Sequence, residues 1–179
     1  MGIHVALLRG INLGNRRLPM KDLAAMFEEA GCWDVRTYIQ SGNVVFEAGK
    51  ALARRIPCLI EESISERFGF GVPIVIRTVD EIDGVVKGNP FLKSGADPKT
   101  LHVGFLRDRA SKSRVAALDP DRSPPDEFVV RGGEIYLRCP NGVARSKLTT
   151  QYFDSRLGTV TTARNWRTVL KLQEMARAS

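Results

Sequence analysis

Apolar and polar residues alternate from Ile3 to Arg9, with Ile3, Val5 and Leu7 on one side and His4, Ala6 and Leu8 on the other. That period of two predicts a β-strand. The loop INLGNRRL follows, and Pro19 then suits a first helical position, where a missing N–H costs nothing. Next, Leu23, Met26, Phe27 and Ala30 fall on one stripe of a helix that Gly31 ends. Arg36 to Gln40 and Asn43 to Glu47 predict two strands joined by the two-residue turn Ser41-Gly42. A long helix is expected from about Ala51 to Phe68, with Pro57 kinking it or delaying its start. Val72 to Arg77 predicts a fourth strand, after which Thr78 caps a short helix over VDEIDGVV.

The pattern then begins again. IHVALLR at Ile3 to Arg9 returns as LHVGFLR at Leu101 to Arg107, 98 residues later, which superposes the chain's 2 histidines, His4 and His102. Such an offset points to a duplicated unit. In the second copy, Lys112 to Leu118 predicts the first helix, and Glu127 to Arg131 pairs with Glu134 to Arg138 over Gly132-Gly133. A helix is expected from Ala144 to Leu157 and a strand from Thr159 to Ala163, with Asn165 capping the last helix. Right-handed crossovers impose a ferredoxin-like split βαβ on each copy. The expected fold class is α+β: two tandem ferredoxin-like copies, each βαββαβ plus an extra helix, with antiparallel sheets and helices on one face. Gly88-Asn89-Pro90 and the Gly/Pro-rich run from Ser94 to Pro98 mark the boundary, giving copies over residues 1–95 and 96–179.

Composition narrows the class. A chain of 179 residues with 43% hydrophobic and 26% charged content is ordinary for a soluble globular protein. No apolar run approaches the roughly 18 residues of a membrane span, and no signal peptide precedes the first strand, so no membrane partner is expected. Cys32, Cys58 and Cys139 are odd in number and unclustered, which suits a reducing cytoplasm. Charge is uneven. Residues 1–95 carry 12 Lys and Arg against 11 Asp and Glu, while residues 96–179 carry 15 against 9. The basic surplus therefore belongs to the second copy.

Topology nominates two edges. The crossover brings Arg9-Gly10-Ile11-Asn12 beside Gln40-Ser41-Gly42-Asn43, collecting a guanidinium, three amides, a hydroxyl and Gly-rich N–H groups suited to an anion. Arg16 and Arg17 add charge before a helix start. The plainer alternative is that Ser-Gly makes a good turn and that Asn12 and Gly14 shape a loop. At the opposite end, the second copy joins Arg145-Ser146-Lys147 to Arg164-Asn165-Trp166, a phosphate-sized collection of cations, a hydroxyl and helix N–H groups. There the alternative is that Asn165 caps the helix and Trp166 anchors the core, and for Trp166 alone that alternative is preferred. If the copies pack about a two-fold axis, the two edges could join in one cleft.

Other chemistry is missing. No Cys/His or carboxylate cluster has metal-ligand spacing, so no metal is expected, and no cofactor motif is present. His4 and His102 read as strand residues packed between the copies, and Cys32 reads as partly buried. IHVALL is similar to the first-strand motif of RNA-recognition sheets, but of the strand-three positions Asn43, Val45, Glu134 and Tyr136 only Tyr136 could stack a base. No catalytic constellation stands out, which leaves the question of an enzyme open.

LLRGINLG, RTYIQSGNVVF, RSKLT and TTARNW, in this order, resemble the bacterial family called domain of unknown function 1697 over nearly the whole chain. The resemblance implies a cytosolic α/β protein and family-level identity at Arg9-Gly10-Ile11-Asn12, Gln40-Ser41-Gly42-Asn43, Ser146-Lys147-Leu148 and Arg164-Asn165-Trp166. It implies no reaction and no cofactor. Three functions stay open: a binder of an anionic small molecule or nucleotide, a nucleic-acid binder using the basic copy, and an enzyme on phosphorylated substrates. In the last, Arg9, Lys147 and Arg164 would stabilise charge. Oligomeric state is not legible.

Overall fold

The structure, a computed structural model, describes residues 1–178. Its strands form two four-stranded antiparallel sheets flanked by helices. Two compact units divide the chain, Gly84–Leu170 forming one and Met1–Asp83 the other, joined by a C-terminal segment starting at Lys171.

In the first unit, β1 (Gly2–Leu8), α1 (Met20–Glu29), β2 (Trp33–Tyr38), β3 (Asn43–Ala48), α2 (Lys50–Phe68) and β4 (Ile74–Thr78) follow in order. The sheet order is β2-β3-β1-β4, so β1 is central and pairs with both β3 and β4. Strand alternation decides what each face meets. Ala6 and Leu8 share a face with Val44 and Phe46, and that face packs on Leu23, Met26 and Phe27 of α1 and on Ala53, Ile56, Ile60 and Ile64 of α2. Burying each of these larger side chains contributes about 1.5–3 kcal/mol. Val5, Leu7, Val45 and Val75 alternate with them and are also buried. His4 stacks on Phe46 at 5.5 Å within its own unit. Thr78 and Glu81 cap α3 (Val79–Gly88) reciprocally, each side chain accepting from the other's backbone N–H at 3.2 and 2.8 Å. Further along α3, Asp83 receives Gln173 at 2.7 Å and Arg177 at 2.9 Å, which ties the C-terminal segment into this unit.

In the second unit, the short α4 (Pro90–Lys93) precedes β5 (Leu101–Leu106), α5 (Lys112–Ala116), β6 (Glu127–Arg131), β7 (Glu134–Arg138), α6 (Thr150–Leu157) and β8 (Thr161–Asn165), and α7 (Trp166–Arg177) starts here and belongs to the first unit from Lys171 onward. Its sheet order, β6-β7-β5-β8, repeats that of the first. Leu106, Ile135 and Leu137 pack with Tyr152, Phe153 and Leu157 of α6. Among the described residues no helix is long and apolar enough to cross a membrane.

Several element bounds differ from the sequence reading. Helix α2 starts at Lys50 and continues through Pro57. Losing one N–H donor there is outweighed by the buried stripe Ala53, Ile56, Ile60 and Ile64, which runs along both sides of the proline. Strand β2 begins earlier, at Trp33, through a bulge near Asp34, and leaves the ladder after Tyr38, so the turn holds four residues rather than two. The third difference is the largest. Val143–Arg145 form an isolated 3-10 turn and α6 starts only after Thr149, whose hydroxyl accepts the Tyr152 N–H at 3.1 Å. Thr149 supplies the cap that Ala144 could not.

Candidate functional site

The end of β1 and the β2–β3 turn meet, as the crossover requires. The Leu8 N–H donates to the Gly42 carbonyl at 2.8 Å, and a Cβ on Gly42 would stand 2.7 Å from Leu8 Cβ and 2.8 Å from Ile11 Cδ1. With φ at +80°, position 42 needs glycine for both its backbone and its clearance. Asn12, also left-handed at φ +56°, is the clasp. Its Nδ2 donates to the Leu18 carbonyl at 3.0 Å and the Gln40 carbonyl at 2.7 Å, while its Oδ1 accepts the Leu18 N–H at 2.8 Å. The side chain thus closes the 9–18 loop on itself and pins it to the turn. Asn43 is fully buried and bonds inward to the Tyr38 carbonyl at 3.0 Å and Ser41 Oγ at 2.9 Å.

These bonds shape an open recess of about 500 Å³ lined by Asn12, Gly14, Arg17 and Gln40. The Arg17 and Gln40 side chains are exposed. Arg16 turns away, donating to the Gly71 carbonyl and lying 5.1 Å over the Phe70 ring. Arg9 is half-buried, its N–H held by the Pro73 carbonyl at 3.0 Å. Two neighbours of the lining residues were not anticipated: Leu13 is 68% exposed and Ile39 50% exposed. Ile39 also holds φ at +48°, a costly conformation for a β-branched residue. Nothing in RTYIQSGN singles out Ile39 as a turn residue.

The second nominated edge is built differently. Ser146 spends its hydroxyl locally, accepting the Leu148 N–H at 3.1 Å. Lys147 is tied through its backbone to the 122–126 loop, its N–H to Ser123 Oγ at 2.9 Å and its carbonyl to Arg122 Nε at 3.0 Å. Neither residue stands at a helix N-terminus. Asn165 caps α7 by accepting the Thr168 N–H at 2.8 Å, and Trp166 is buried, as the plainer alternative holds for both. Arg164 is buried too, with Nη1 donating to the Ala163 carbonyl at 2.8 Å. Burial pulls its guanidinium down to about 10, so it still carries charge at neutral pH. Its counterpart is Arg77, which is buried and bonded to the Ile76 carbonyl at 3.0 Å. Arg77 sits opposite Val5 and Arg164 opposite Val103, equivalent positions in the two sheets. Tyr136, the one aromatic placed to stack a base, is buried, and burial raises its phenol to about 12.

Among the described residues no group of three His, Cys, Asp or Glu side chains could hold a metal ion. Burial pushes the Cys32 thiol up to about 11 and raises Cys139 as well, while Cys58 is raised chiefly by its bond to Glu62.

Fold and rim together define an α+β protein of two sheet-and-helix units whose polar loops are tied by side-chain amides. The solved structure of a conserved bacterial protein, SP0830 from Streptococcus pneumoniae, is similar to it. The two share 19% identity over 99% of each chain with a TM-score of 0.71, which is a likeness of fold. The family model described as "Protein of unknown function (DUF1697)" matches residues 1–136, and the chain belongs to that family. Among curated proteins none matches significantly.

Proposed function

We propose that the recess on the first unit binds a small anionic ligand such as a nucleotide or phosphorylated metabolite. The observation that carries this reading is the recess of about 500 Å³ bordered by Asn12, Gly14, Arg17 and Gln40, within the size range of small-molecule sites. Arg17 supplies a planar guanidinium whose fork matches phosphate or carboxylate oxygens. Gln40 offers an exposed amide. Asn12 is already saturated by its three bonds and serves as the clasp rather than a ligand contact. Leu13 and Ile39 add apolar surface, which suits a ligand with a ring or short hydrocarbon portion beside its charge. Arg9 and Ser41, on the segments that carry Asn12 and Gln40, are included in this proposal.

Thermal-shift measurements with nucleotides and phosphorylated metabolites test this. A ligand at 100 times its Kd stabilises the native state by about 2.7 kcal/mol, and Arg17→Ala should abolish the shift. Absence of any shift across the panel, or an equal shift in Arg17→Ala, overturns the reading.

We also read each unit as ferredoxin-like and the pair as a duplication, supported by the shared strand order with the first strand between the third and fourth. Cross-strand proton contacts in solution that fail to pair β1 with both β3 and β4 would refute it. Three unpaired cysteines support work in a reducing compartment such as the cytoplasm. Finding Cys58 oxidised in protein isolated from its native cell would count against that.

A further inference from the structure

The second unit has a corner equivalent to the first unit's recess, and it has been filled differently. The Leu106 N–H donates to the Gly133 carbonyl at 2.8 Å and the Arg107 N–H to the Val160 carbonyl at 2.9 Å. These match the Leu8–Gly42 and Arg9–Pro73 bonds of the first unit. The Asp108 N–H adds a bond to Thr159 Oγ1 at 3.1 Å. Three turns therefore converge here: the exit of β5, the β6–β7 turn and the α6–β8 turn. The chain leaving β5 places Arg107, Arg109, Lys112 and Arg114 within eight residues against the single acid Asp108, and all four cations are exposed.

Two glycines give the guanidiniums room. A Cβ on Gly132 would stand 3.6 Å from Arg109 Nη2, and one on Gly158 would stand 2.5 Å from Arg114 Nη1. Both glycines have positive φ, +59° and +70°. Arg109 thus lies along the hairpin turn and Arg114 along the C-cap of α6, on two of the three turns. The Glu134 carboxylate, 4.0 Å from the Gly132 point, is a second acid in the corner. In the first unit's corner Arg16 donates to the Gly71 carbonyl and lies over the Phe70 ring.

We propose that this corner of the second unit is a contact surface for the phosphate backbone of nucleic acid, independent of base sequence. Spaced guanidiniums on a set of converging turns fit successive phosphates, each able to take a forked pair of bonds. The basic excess, 15 cations against 9 acids over residues 96–179, favours a polyanion over a single small anion. Tyr136 is buried, which takes the one strand-three aromatic out of base stacking and fits a contact made through the backbone. The proposal does not rest on the recess of the first unit.

The test is fluorescence anisotropy with two labelled duplexes of unrelated sequence, titrated across a salt series. Wild type should bind both within about threefold, with log affinity falling steeply against log salt. Arg109→Glu/Arg114→Glu should weaken binding at least roughly tenfold and flatten the salt slope by about 2, one unit for each phosphate no longer neutralised. Arg54→Glu/Arg55→Glu, which makes the same charge change on exposed positions of α2, should bind like wild type. No binding by wild type, a strong preference for one duplex, or equal weakening in both double variants overturns the proposal.

Discussion

Replacing Asn12 with Ala removes three hydrogen bonds at once, to the Leu18 carbonyl, the Gln40 carbonyl and the Leu18 N–H. Each is half-buried or exposed and contributes about 0.5–1 kcal/mol net. Alanine must also hold the left-handed backbone that Asn tolerates, at about 1 kcal/mol more. The expected destabilisation is about 3 kcal/mol. With a urea slope of about 2 kcal/mol/M, the unfolding midpoint followed by far-UV circular dichroism falls by roughly 1.5 M. Gln40→Ala is the control, because Gln40 contributes only its backbone carbonyl to the clasp and its exposed side chain can be removed at a cost within about 0.5 kcal/mol. If the Asn12→Ala midpoint moved by less than about 0.5 M, or Gln40→Ala moved as far, the clasp would not be what holds the loop on the turn.

Burial holds both imidazoles below 6.5, so the unfolded chain takes up more protons than the native one as pH falls. Stability should therefore be full above 6.5 and decline as pH drops through it; proton NMR titration midpoints at or above 6.5 would contradict this. Cys58 is the exposed thiol of the 3 free cysteines, so Ellman's reagent should modify one thiol in the native chain and three after denaturation. The bond to Glu62 raises the Cys58 thiol, and Glu62→Gln should speed that native reaction; an unchanged rate refutes the coupling. Thr149→Ala removes the α6 cap and should cost about 1 kcal/mol in urea unfolding. A change under about 0.3 kcal/mol would mean that α6 does not begin where the structure starts it.

The family and the recess were legible from different kinds of signal. Four ordered motifs identify the family, and the geometry finds most of their polar residues holding loops together rather than facing outward. Asn12 and Asn43 turn their amides inward, and Asn165 spends its carbonyl on a cap. Arg164 looked like part of a basic edge because the expected topology brings it to the same end of the sheet as Arg145-Ser146-Lys147. Its side chain is buried, which no local pattern distinguishes from an exposed one.

Alternation in β1 and β5, the stripe on α1 and the Gly132-Gly133 turn are governed by interactions within a few residues, so the sequence alone determined them. It also determined that residues 9–12 and 40–43 share an end of the sheet, since a strand–helix–strand connection leaves the chain little choice. Only tertiary packing carried α2 through Pro57 and buried Arg77 and Arg164 in their sheets. Along α2, burial of Ala53, Ile56, Ile60 and Ile64 against residues distant in sequence outweighed a local backbone preference of about 3 kcal/mol.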